Sequence, residues 1–181
     1  MSKGNGTKRG RCLLAGISVA ALAACAGSEL RLTEEGLTGL ELSAPTRTQV
    51  QRRFPESQVF EEWPLSEAGR HRQLRVVNLQ QQELIFHFDD KGLYSLENRQ
   101  SQIASYLDHR IGDGFEWVYP DGTELCVAGM EALSGRVICP APGSGHIRYL
   151  FDYDWPGPDG ELPPKFVLKG ATLAAMFWFN D

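Results

Sequence analysis

Asp152, Asp154 and Asp159 lie in the run Asp152-Tyr153-Asp154-Trp155-Pro156-Gly157-Pro158-Asp159-Gly160. Closely spaced carboxylates beside a glycine turn are the oxygen donors that a calcium ion takes. The order is not the Asp-x-Asp-x-Asp-Gly of an EF-hand, and no glutamate stands at the twelfth position of such a loop. A rigid turn explains the same residues: Pro156 and Pro158 restrict the backbone, the glycines let it reverse, and Trp155 packs it down. Asp152, Asp154, Trp155 and Asp159 are therefore read as a candidate binding loop, with no metal and no cofactor expected.

The histidines, His71, His87, His109 and His146, are scattered, and none has His, Cys or carboxylate neighbours at metal-ligand spacing. Ser144 lies in Gly143-Ser144-Gly145-His146, which reads as a turn feeding a strand rather than a nucleophile elbow. Phosphate-binding and dinucleotide-binding glycine patterns are absent. No grouping amounts to a catalytic site, so the chain is not expected to be an enzyme. Cys126 and Cys139, with 12 residues between them on neighbouring predicted strands, are expected to form a disulfide across a hairpin. Neither a Cys-x-x-Cys pair nor a spaced histidine favours zinc there.

These groups must be positioned by mostly extended chain. Leu84, Phe86 and Phe88 alternate with Ile85 and His87, and Ile147, Tyr149, Phe151 and Tyr153 alternate in the same way. Each run predicts a strand with one apolar face, which turns His87 to the other side. Further strands are predicted over 74–79, 125–130, 135–139 and 174–179. The aromatic run Met176 to Phe179 reads as core strand. A helix is predicted between Ser43 and Pro55, with Val50 and Phe54 on one face and Pro55 as its stop. The fold class is α+β, a mostly antiparallel sheet with one or two short helices. An offset of 65 pairs Val50 with Phe115, Phe54 with Tyr119, Pro55 with Pro120, Phe86 with Phe151, Phe88 with Tyr153 and Asp89 with Asp154, suggesting an internal duplication.

The chain has 181 residues, 42% hydrophobic and 23% charged, the composition of a globular domain. All four charges in the first 24 residues are basic; the rest carries 14 Lys and Arg against 23 Asp and Glu. So acidic a body is repelled by phosphate backbones and anionic head groups, which argues against nucleic acid and against electrostatic adsorption to membranes.

Lys3, Lys8, Arg9 and Arg11 precede the apolar run Cys12 to Leu22, and Leu22-Ala23-Ala24-Cys25 follows. This is the layout of a secretory signal, and its 11-residue apolar run falls well short of the roughly 20 that span a bilayer as a helix. Leu22-Ala23-Ala24-Cys25 resembles the lipobox of bacterial lipoproteins, in which the cysteine is acylated and becomes the new N-terminus. The expected division is 1–24 lipoprotein signal peptide, 25–38 lipidated tether and 39–181 a single periplasmic domain. Ala26 rather than Asp beside Cys25 implies, by resemblance to Gram-negative lipoproteins, sorting to the outer membrane.

The stretches Gly143 to Phe151 and Trp155 to Gly160, the closing apolar strand, the Cys126 and Cys139 spacing and Leu32 to Leu40 resemble the sigma-E (RpoE)-regulated lipoprotein family of Gram-negative envelopes. The resemblance implies an outer-membrane lipoprotein under envelope-stress control, with an α+β domain and no established biochemical activity. It brings no catalytic residues with it, and it is loose between Gln49 and Gln102. The expected partners are a membrane, through lipid on Cys25, and an envelope protein or cell-wall component. Inhibition of a cationic cell-wall hydrolase such as lysozyme is the second expectation, since an acidic body would steer a basic enzyme toward it.

Overall fold

The computed structural model describes residues 29–180 apart from 42, 67–68, 123–124, 131–132 and 159. The chain opens with β1 (Arg31–Thr33) and β2 (Gly36–Leu37), a short hairpin. Then come α1 (Arg47–Arg53), β3 (Gln58–Glu62), the small hairpin of β4 (Leu65–Ser66) and β5 (Gly69–Arg70), β6 (Gln73–Val77), β7 (Glu83–Asp89) and β8 (Gly92–Asn98). The remainder comprises β9 (Ala104–Ser105), α2 (Phe115–Val118), β10 (Val127–Ala128), β11 (Arg136–Pro140), β12 (Ile147–Asp152), α3 (Lys165–Leu168) and β13 (Thr172–Phe179).

Eight strands form one antiparallel sheet in the order β10-β11-β12-β13-β8-β7-β6-β3. Within it are two units, each a helix followed by a four-stranded meander. They meet through their last strands, with Trp178 opposite Leu96 and Met176 opposite Asn98. The α+β class holds: a mostly antiparallel sheet with three short helices.

Local chemistry explains the boundaries. Thr46 starts α1 with a capping box, its hydroxyl accepting from the Gln49 N–H while the Gln49 side chain accepts from the Thr46 N–H at 2.8 Å. Phe54 ends that helix with φ −121° and ψ 67°, and Tyr119 ends α2 with φ −128° and ψ 71°. Both precede proline, which disfavours helical geometry in the residue before it. Between β7 and β8, the Asp89 carboxylate accepts from the N–H groups of Lys91 and Gly92 at 2.8 and 3.1 Å. Gly92 has φ +128°, and a Cβ there would sit 2.9 Å from the Ser43 carbonyl, so only glycine fits the turn.

The core lies on one face of the sheet. Leu74, Phe86, Leu96, Trp178 and Ile147 run across five strands and are covered by Leu32, Val50, Ile103, Phe115, Val118 and Leu168. The other face carries a half-exposed row in register, Phe60, Arg75, Ile85, Glu97, Phe177 and Arg148. Arg75 stacks over Phe60 at 4.8 Å and bridges Glu62 and Glu83 at 2.6 and 3.1 Å.

Two expectations change. The tether expected over 25–38 is folded from Arg31 on, because β1 buries Leu32 completely and pairs in parallel with β9. The strand expected over 125–130 is reduced to Val127–Ala128, since the outermost position of the sheet leaves it one neighbour to pair with.

Candidate functional site

Cys126 and Cys139 form a disulfide, with both cysteines buried and their Cα atoms 4.2 Å apart. Val127 pairs with Ile138, so the bridge ties the outermost strand β10 to β11. Beside it opens a cleft of about 560 Å³ lined by Tyr119, Asp121, Leu125, Cys126, Pro140 and Ser144. Leu125 and Val127 are 76% and 57% exposed, and Met130 is also exposed, so apolar side chains collect along this edge.

The polar groups around the cleft are held by the protein itself. The Tyr119 hydroxyl donates to the Pro140 carbonyl at 2.6 Å, and the Tyr106 hydroxyl donates to that of Pro142. Burial, reinforced by the neighbouring Tyr149 and Tyr106, pushes the Tyr119 phenol far above its ordinary pKa, so it stays protonated. The Ser144 hydroxyl donates to Glu34 and accepts from the N–H groups of Ile147 at 2.8 Å and His146 at 3.2 Å. His146 Nδ1 lies 3.0 Å from the Phe179 carbonyl. Ser144 thus caps the turn into β12, and the adjacent imidazole is engaged elsewhere.

The aspartate loop is divided. Asp152, at the end of β12, accepts from Arg136 Nε at 2.8 Å, directly across the strand pair. Asp154 is exposed, and Trp155 folds back onto its own loop: a Cβ on Gly157 would lie 2.1 Å from the indole. Among the described residues, no three of His, Cys, Asp and Glu converge to hold a metal ion. Asp159 and Cys25 lie outside the described residues.

A second hollow, about 490 Å³, was not visible in the sequence. It is lined by Pro64, His71, Gln73, His87, Asp89 and Tyr94, because pairing of Gln73 with His87 carries two distant histidines to one end of β6 and β7. The rings of His87 and Tyr94 are 6.0 Å apart. His87 Nε2 is 3.8 Å from Glu97, which Arg99 contacts at 2.5 Å. Burial pushes the Glu97 carboxyl up, but the nearby His87 ring and the hydrogen-bonded Arg99 guanidinium outweigh this and hold it below the usual glutamate range. Only knowledge of the strand register would have joined these residues.

Fold and cleft together define a disulfide-bonded α+β domain with a two-unit antiparallel sheet. The chain belongs to the family described as protein of unknown function (DUF1131), whose model matches residues 23–180. It is 23% identical over 154 residues to "Uncharacterized protein YfeY" of Escherichia coli (strain K12), covering 84% of this chain and 81% of that protein. The crystal structure of the uncharacterized protein yfeY from Escherichia coli matches with a TM-score of 0.70 at 21% identity, covering 83% of this chain and 99% of that one. That likeness establishes a shared fold.

Proposed function

We propose that this chain is an envelope lipoprotein, held at the periplasmic face of the outer membrane by lipid on Cys25, whose domain binds another envelope component without catalysing a reaction. The observation that carries the binding role is the apolar cleft beside the disulfide, flanked by exposed Leu125, Val127 and Met130. An outermost strand with exposed apolar side chains is a natural place for a second chain to pair. The internally satisfied Tyr119 and Ser144 favour a surface that binds over one that reacts. The resemblance to sigma-E-regulated lipoproteins adds synthesis under envelope stress, and the matching order of elements in the two units supports an origin by duplication.

The test is a photo-crosslinking residue placed at Val127 in living cells, with Asp90 on the distant β7–β8 turn as the comparison. A discrete adduct with one envelope component at 127 and not at 90 is expected. No adduct, or the same adducts at both positions, would remove the cleft from the account.

Inhibition of a cationic cell-wall hydrolase is the second reading, favoured by the acidic excess of the body after residue 24. Lysozyme assayed on a cell-wall suspension with the purified protein decides it. Salt-sensitive inhibition would support this reading, and unchanged turnover would dismiss it.

A further inference from the structure

Two short neighbouring helices expose large aromatic side chains that the cleft does not use. Trp117 on α2 is 73% exposed and Phe166 on α3 is 75% exposed, although Phe115, Val118 and Leu168 of the same helices are buried in the core. The Lys169 ammonium lies 2.7 Å from Glu116 and ties α3 to α2, and Lys165 and Lys169 both line the shallow hollow between the helices. Aromatic rings beside lysines suit the boundary between hydrocarbon and head groups, where the ring enters the apolar layer and the ammonium stays wet.

The first described residues point the same way. Glu29 is pinned to Arg110 at 2.5 Å, and Arg110 opens the turn that runs through Asp113 into α2. Gly112 and Phe115 are bonded to the carbonyls of Leu173 and Ala171, where α3 feeds β13. Glu29 is four residues beyond Cys25, a length of chain that reaches about 14 Å at full extension.

We infer that Trp117 and Phe166 rest in the surface of the bilayer that carries the Cys25 acyl chains, so that the domain touches the membrane through α2 and α3. This rests on the lipid-anchor reading. The anchor supplies the high local concentration that makes a weak two-residue contact effective, and the contact sets the orientation in which the β10 edge meets its partner. Insertion of rings, rather than charge attraction, accommodates a body that is acidic overall.

The experiment uses the mature full chain purified from membranes and reconstituted into vesicles of brominated phosphatidylcholine, which quenches indoles that reach the acyl region. Quenching of the parent, with a share missing in Trp117→Phe and reduced in Phe166→Ser, is the expected result. Equal quenching in parent and Trp117→Phe, or none in either, would overturn the contact. The intact mass of the same sample separates the two ideas. Acyl chains on Cys25 without Trp117-specific quenching would leave the anchor standing and end the contact. Quenching without acyl chains would keep the contact and end the anchor.

Discussion

The imidazole of His109 is almost completely buried, with Nδ1 3.2 Å from the Tyr149 hydroxyl and the two rings edge to face at 5.7 Å. Burial lowers its pKa, and the carboxylates of Asp113 and Asp108 only partly oppose this. The unfolded chain therefore takes up a proton more readily than the folded one. The stability held above the ordinary histidine pKa of about 6.5 is lost as pH falls toward the lower folded value. Urea midpoints between pH 8 and pH 5 should fall more steeply for the parent than for His109→Gln; parallel curves would show that His109 is not the group responsible. At Gly157 the constraint is one of space. An added methyl must displace the Trp155 indole or strain the loop, and such overpacking costs about 1–3 kcal/mol. Gly157→Ala should lower the denaturation midpoint and shift tryptophan emission to the red. An unchanged spectrum and midpoint would show that the indole does not rest there.

Among the elements, α1 is seven residues long and relies on its cap and on burial of Val50. Thr46→Ala should destabilise the protein by about 0.5–2 kcal/mol in equilibrium denaturation. Strand β10 depends on its bridge. Cys126→Ser with Cys139→Ser should cost about 3 kcal/mol in the chain-entropy model, with amide exchange accelerated in β10 before β7 or β8. A uniform acceleration would mean that the bridge supports the whole sheet. The alternating strands were legible because burial of one face imposes a period of two, as in Leu84, Phe86 and Phe88. Strand β8 was hidden although it lies at the centre of the sheet, because Ser95, Glu97 and Asn98 interrupt its apolar pattern. Its buried Asn98 instead donates to the Gln100 carbonyl at 3.2 Å, while the Asn98 side-chain oxygen accepts from the Gln100 N–H at 2.9 Å. Four-residue α3 carries too short a period to read, and β3 shows one fully buried side chain, Val59. Of the candidate residues, the cysteine pair was legible from spacing. The cleft beside it was not, because Tyr119, Pro140 and Ser144 meet only through tertiary packing.

At the scale of the whole molecule, two helix-and-meander units share one sheet, and the N-terminal segment is locked across their seam. Trp178 Nε1 donates to the Glu34 carbonyl at 2.9 Å, and Leu32 is fully buried. Trp178→Ala should cost about 3–5 kcal/mol, as loss of a buried tryptophan does, and should loosen β1 together with β13. The first described residue, Glu29, stands four positions after Cys25, and lipid at that cysteine would hold the domain close to the bilayer surface. Among the described residues no helix is long and apolar enough to cross a membrane, and the attachment proposed above is through lipid on Cys25. The most direct test is the intact mass of the mature protein extracted from cell membranes, with Cys25→Ala fractionated in parallel. Lipid attachment predicts a chain beginning at an acylated Cys25 and a variant released from the membrane fraction. An unmodified Cys25, or a variant that stays with membranes as the parent does, would contradict it.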